Sequence, residues 1–128
     1  MKNAMPPFTF VIPFVLLAAM PILTGCGAGS KEIIQAVEVG DLDKVKELVE
    51  AKPKLANAVG NTGMTPLHWA AAKGHGEIIE YLISRNADVN KTNLLKETPL
   101  DVAERKRKNA MVALLAEHGG KSAKELRN

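Results

Sequence analysis

The chain has 128 residues, of which 46% are hydrophobic and 24% are charged, and these proportions are typical of a single globular domain. Lys and Arg number 17 against 14 Asp and Glu, and the resulting net charge of +3 is too balanced to indicate nucleic-acid binding. The single cysteine excludes an intrachain disulfide, a Cys-x-x-Cys redox pair and a cysteine-rich zinc site.

The N-terminal segment has the three parts of a secretion signal. Lys2 and the amino terminus supply positive charge, residues 8–23 contain no charged side chain, and small residues follow them. A transmembrane helix needs about 20 apolar residues, whereas this run is shorter and contains Pro13 and Pro21. We therefore expect a signal peptide over residues 1–25, with an uncleaved signal anchor as the alternative.

The end of this segment, Leu23-Thr24-Gly25-Cys26, resembles the lipobox of bacterial lipoproteins. The resemblance implies cleavage before Cys26 and lipid on its thiol, with residues 26–30 as a lipidated cysteine and a short tether. A plain signal peptide with an incidental cysteine is the alternative. Gly27 stands where an aspartate retains some lipoproteins in the inner membrane, so the resemblance favours a periplasm-facing domain on the outer membrane of a bacterial cell envelope.

The rest of the chain repeats itself with a period of about 33 residues, which lies in the range typical of repeat proteins. Thr65-Pro66-Leu67 recurs as Thr98-Pro99-Leu100, and Asn57 recurs as Asn90. The middle unit resembles an ankyrin repeat, because Thr-Pro-Leu-His, paired alanines, Gly-His and Ala-Asp-Val-Asn follow in that order. The resemblance implies an all-α ankyrin solenoid of three helix–turn–helix units over residues 31–121. The units span about 31–63, 64–96 and 97–121, and a charged tail follows at 122–128.

Local chemistry agrees with six helices in three antiparallel pairs, separated by extended loops at 52–64 and 85–97. Thr65 is suited to cap the N-terminus of a helix with its hydroxyl. Pro66 loses no hydrogen bond at the first helical position, and Gly74 can end the helix in the left-handed conformation. The middle unit therefore contains its own start and stop signals.

Stacking of the units follows from their apolar stripes. One helix pair cannot bury its own apolar face, so neighbouring units must cover it. The outer units should then be polar on their outer sides, as Lys44 and Glu104 indicate at positions that are apolar in the middle unit. We interpret the first and third units as caps around one internal repeat.

The sequence contains no constellation typical of an enzyme, a cofactor site or a metal site. It has no P-loop and no Gly-x-Ser-x-Gly motif, and His68, His75 and His118 do not pair on one helix face. By resemblance, His68 braces the following loop and His75 belongs to a structural turn. We expect no catalysis and no cofactor, with an enzyme of unfamiliar site as the alternative.

The ankyrin resemblance implies protein binding at the loop tips and on the concave face. The first loop tip, residues 59–63, contains Asn61 and Thr62. Trp69 lies on the first helix of the middle unit, where it fills the core or, if partly exposed, anchors a partner.

The second loop tip, residues 91–97, contributes Asn93, Leu94 and Leu95. Lys96 stands where the family has glycine, which places the tight turn in doubt. Either one leucine folds back on the stack, or both form a contact patch.

The run Arg105-Lys106-Arg107-Lys108 replaces the Gly-His turn in the third unit. It is either a solvated surface or a contact for an acidic protein or anionic lipid, and no aromatic residues interleave it for stacking on nucleic-acid bases.

Together these features predict a non-catalytic protein–protein interaction module whose protein partner is unidentified. Lipid on Cys26 would hold it on a membrane, and we expect no nucleic acid or small-molecule substrate. An inhibitor or regulatory cap of a neighbouring envelope enzyme or toxin is the alternative.

Overall fold

The described part of the chain, residues 27–128 of this computed structural model, contains helices and turns and no strand. In chain order the α-helices are α1 (Gly27–Val39), α2 (Leu42–Ala51), α3 (Pro66–Lys73), α4 (Gly76–Ser84), α5 (Pro99–Arg105), α6 (Asn109–Glu117) and α7 (Ala123–Arg127). The first six form three consecutive pairs, which confirms the all-α class and the three units. The signal peptide, the signal anchor and the lipobox with Cys26 lie outside the described residues. None of the described helices combines the length and apolar character that crossing a bilayer requires.

Threonines start α3 and α5. The hydroxyl of Thr65 accepts a hydrogen bond from the backbone N–H of His68, and that of Thr98 accepts one from Asp101. The side chains of His68 and Asp101 in turn accept hydrogen bonds from the threonine N–H groups, at 3.1 and 2.9 Å. Such reciprocal capping satisfies two orphan donors at each helix start. The predicted N-terminus of α3 is therefore confirmed.

The first helix begins earlier than the repeat pattern indicates. Residues 27–30, which we predicted as a tether, form the first turn of α1. Gly29 lies close to the 3₁₀ helix Pro53–Asn57, where a Cβ on it would be 3.2 Å from Cδ2 of Leu55. At about 1.5 Å of rise per residue the four residues span about 6 Å, far less than an extended tether. The same 3₁₀ helix interrupts the predicted loop at 52–64, and part of the charged tail forms α7.

The helices form two layers around one aliphatic core. The first helices of the units pack in the order α1, α3, α5, and the second helices α2, α4 and α6 cover them. Ala70 and Ala71 of α3 are fully buried, and their small size lets neighbouring helices approach closely. Lys44 and Glu104 are exposed, as predicted for the two capping units. The larger aliphatic side chains that are fully buried are Ile33, Val37, Val45, Val49, Leu67, Ile78, Ile79, Leu82, Val102 and Leu115.

Two asparagines at equivalent positions of successive units tie each unit to the next. Nδ2 of Asn57 donates to the carbonyl of Asn86 at 3.0 Å, and its Oδ1 accepts from the N–H of Asp88 at 2.7 Å. Asn90 makes the same two contacts one repeat further along, at 3.2 and 2.8 Å. The repeated asparagine therefore fixes the offset between successive units.

Candidate functional site

A groove of about 580 Å³ lies between α1 and the first loop tip. Trp69 lines it from α3, Asn61 and Thr62 line it from the first loop tip, and Ile34 and Glu38 line it from α1. The stacking of the first two units thus brings three of the predicted binding residues to one concave surface. The concave face was expected from the first helix of each unit, but no residue of α1 was named, because the residues that line the groove depend on how far one unit is displaced along the next.

Trp69 combines the two roles that the sequence left open. Its side chain is half-buried, packs against the core and also lines the groove. A tryptophan that is held by the core and exposed on one side is a suitable anchor for a partner, because it offers large area at low conformational cost.

The walls of the groove are apolar in the middle and charged at the sides. Ile34 lies beside the first loop tip, where a Cβ on Gly60 would come within 3.0 Å of its Cδ1. Lys31 and Glu38 line the same groove two helical turns apart on α1, about 10 Å along the axis. Such a surface can bind an apolar side chain near Trp69 and discriminate the charges on either side of it.

One sequence signal could have located the α1 wall. Ala36 in the first helix of unit one aligns with Ala70 in that of unit two, and the same offset places Gln35 opposite Trp69. Gln35 does line the groove. The repeat offset therefore carries information about the site as well as the fold.

His68 is a structural brace, as predicted. Its Nδ1 accepts from the N–H of Thr65 at 3.1 Å, and its Nε2 donates to the carbonyl of Glu97 at 2.9 Å, which joins the second unit to the following loop. Burial lowers the pKa of His68 and outweighs the opposing effect of the Glu97 carbonyl. The imidazole is therefore neutral, and both of its ring nitrogens are hydrogen-bonded.

Asp101 performs the corresponding task in the third unit. Its Oδ2 accepts from the backbone N–H of Thr98 and from that of Ala123, each at 2.9 Å. The carboxylate thus joins the third unit to α7, where His68 joins the second unit to the third. In the second unit the distant partner is a carbonyl, which needs the donor that His68 provides. In the third unit the distant partner is an N–H group, which needs the acceptor that Asp101 provides.

Asn93, which the sequence predicts as a binding residue, shapes the second loop tip from inside. It is only 7% exposed. Its Oδ1 accepts from the N–H groups of Leu95 and Glu97, both at 2.9 Å. Lys96 adopts the left-handed conformation with φ of 63°, so the tight turn forms without the family's glycine. A short polar side chain that bonds to the backbone two residues ahead is typical of turns.

Leu94 and Leu95 are both exposed, by 73% and 76%, so neither folds back on the stack. The N–H of Leu94 donates to the carbonyl of Thr62 at 3.2 Å. This hydrogen bond places the two loop tips side by side at one end of the molecule.

The basic run, residues 105–108, lies around the end of α5, and its first residue differs from the other three in its contacts. Arg105 donates to both carboxylate oxygens of Glu97, at 2.8 and 3.1 Å, and this contact lowers the pKa of Glu97. Lys106, Arg107 and Lys108 are exposed. Arg107 adopts the left-handed conformation with φ of 57°, at the position that Gly74 occupies in the second unit. Among residues 27–128, no three His, Cys, Asp or Glu side chains converge as metal ligands.

Comparisons with known proteins agree with the helix pairs. Residues 33–125 match the family model described as ankyrin repeats in three copies. The chain is 40% identical over 77 residues to the E3 ubiquitin-protein ligase XBAT33 of Arabidopsis thaliana, covering 59% of this chain and 15% of that protein. It is 40% identical over 82 residues to the serine/threonine-protein kinase VIK of the same plant, covering 64% and 19%. It is 35% identical over 94 residues to the 26S proteasome non-ATPase regulatory subunit 10 of Dictyostelium discoideum, covering 73% and 40%. The chain spans less than half the length of each of these relatives.

Proposed function

Because this chain belongs to the ankyrin repeat family, whose repeats form protein–protein interaction modules, we propose that it binds a protein partner through the groove between α1 and the first loop tip. The observation that carries the proposal is the position of Trp69, half-buried and facing that groove. Ankyrin repeat domains are generally non-catalytic, and the proposed role requires recognition alone.

Recognition would use a preformed surface. The groove is built from two units that share one core, so little conformational freedom is lost when a partner binds. Trp69 and Ile34 offer apolar area at the centre, and the exposed Asn61 and Thr62 offer polar groups at the rim. An apolar centre inside a polar rim is the usual organisation of protein interfaces.

Recovery of partners from a bacterial envelope tests the proposal. Trp69→Ala removes the anchor, and Thr62→Arg obstructs the groove from an exposed position. Tyr81→Ala is the matched control, because Tyr81 is also a half-buried aromatic residue but lies on α4, away from the groove. We expect the control to retain a partner that both groove variants lose. Equal recovery by all three would contradict the groove as the binding site.

We further propose that residues 1–25 are removed and that Cys26 is lipidated, which would hold the domain on a bacterial membrane facing the periplasm. The support is the lipobox-like sequence before Cys26. Mass spectrometry of the chain produced in bacteria should find loss of residues 1–25 and added acyl mass. Cys26→Ser should abolish the acyl mass, and an intact N-terminus on the wild type would contradict this proposal.

A further inference from the structure

The second loop tip carries the two most exposed large apolar side chains in the described part of the chain. Leu94 and Leu95 stand at its apex, and Lys91 and Lys96 are exposed on either side of them. Paired leucines held in solvent indicate a surface that something else covers.

Positive charge predominates around these leucines. The first loop tip, residues 59–63, contains no charged side chain, and the second, residues 91–97, contains Lys91, Lys96 and the carboxylate of Glu97. That carboxylate is paired with Arg105 at 2.8 Å. An apolar apex between basic side chains complements a bilayer, because the leucines can enter the boundary of the acyl chains while the lysines contact anionic headgroups.

The position of the loop tips relative to α1 also favours a membrane contact. The groove runs along α1 from Ser30 to Glu38, so it does not by itself locate the tips. Each loop tip directly precedes the start of a first helix, α3 or α5, and the equivalent first helices α1, α3 and α5 pack side by side. The second loop tip contacts the first through the hydrogen bond between Leu94 and Thr62. The start of α1 and both loop tips therefore lie at the same end of the molecule.

We propose that the second loop tip docks on an anionic lipid bilayer through Leu94 and Leu95, with Lys91 and Lys96 against the lipid phosphates. The proposal rests on lipidation of Cys26, which immediately precedes α1 and would hold this same end at the membrane. A bilayer is favoured over a protein at this patch because the leucines project from an apex at the anchored end and are separate from the groove that contains Trp69.

Depth-dependent fluorescence quenching of the full chain tests the docking. The chain is extracted from bacterial membranes and reconstituted into phosphatidylglycerol-rich vesicles that contain phosphatidylcholine with brominated acyl chains. Trp69→Phe first removes the only native tryptophan. Leu95→Trp then reports on the tip, and Val39→Trp is the matched control. Val39 is 71% exposed, similar to Leu95, but lies at the opposite end of α1, about 18 Å from Gly27.

We expect strong quenching for Leu95→Trp and little for Val39→Trp. Adding Lys91→Gln and Lys96→Asn should reduce the quenching of Leu95→Trp towards that of Val39→Trp. The reason is that each lysine near an anionic surface contributes about a fivefold preference for the docked state. Asparagine also tolerates the left-handed backbone at position 96. Vesicles of brominated phosphatidylcholine alone should weaken the quenching in the same way.

Equal quenching at both positions, quenching at neither, or failure of the chain to associate with the vesicles would overturn the docking. Mass spectrometry of the same sample reports lipidation separately. Acylated Cys26 without quenching would refute the docking alone, and quenching without acylation would refute the lipidation alone. Absence of quenching combined with loss of a recovered partner from Leu94→Ser/Leu95→Ser would assign the leucines to a protein contact.

Discussion

The left-handed backbone at Arg107 should make its replacement by glycine stabilising. Arg107 has φ of 57°, and Gly74 has φ of 81° at the equivalent position of the second unit. A residue with a Cβ pays about 1–2 kcal/mol in this region, and glycine recovers that strain but loses about 0.5–1 kcal/mol of backbone entropy. Arg107→Gly should therefore raise the free energy of unfolding by about 0.5–1 kcal/mol.

Thermal unfolding followed by circular dichroism can measure this change. For a domain of this size a gain of about 1 kcal/mol raises the Tm by about 4–8 °C, so we expect an increase of about 2–8 °C. Arg107→Ala is the control, because it removes the same guanidinium but keeps the Cβ. The reasoning would be refuted if the alanine variant were as stable as the glycine variant, since charge and not backbone strain would then explain the gain.

Three further substitutions test the bracing contacts. Stability should fall as the pH drops below the ordinary histidine pKa of 6.5, because burial lowers the pKa of His68 and the unfolded chain takes up the proton first. In urea unfolding at a series of pH values, His68→Gln should reduce the dependence of stability on pH below 6.5, and an unchanged dependence would contradict the reasoning. Gly63→Ala should cost about 1–3 kcal/mol in chemical denaturation, because Gly63 has φ of 77° and a Cβ would lie 2.8 Å from the backbone nitrogen of Leu94; a neutral effect would mean that the loop tips are not in contact. Asn57→Ala should cost about 1 kcal/mol and raise amide hydrogen exchange at Asp88, whose N–H it holds at 2.7 Å; unchanged exchange there would argue against the tie between units.

The sequence was informative where the cause is local. Thr65, Pro66 and Gly74 determine the limits of α3 through capping and backbone preference, which require no knowledge of distant residues. The start of α1 was missed because the repeat pattern ends before residues 27–30, whose neighbour Leu55 is far away in the chain.

In the candidate site, too, local features could be predicted from the sequence and long-range packing could not. Trp69 was identified from its place in the repeat. The α1 residues that face it were not named, because the packing of α1 on α3 decides how many of them line the groove beyond Gln35, which the repeat offset places there. The burial of Asn93 was not evident from the sequence, because exposed loops and buried turns use the same residue type. Its hydrogen bonds to Leu95 and Glu97 show that it braces the turn.

Photo-crosslinking in living bacteria tests the proposed binding groove most directly. A photoreactive amino acid at Thr62, on the exposed rim, should form a discrete adduct with a partner protein. The same amino acid at Glu80, which is exposed on α4, should form none. An identical adduct from both positions, or no adduct from Thr62, would contradict recognition through the groove that contains Trp69.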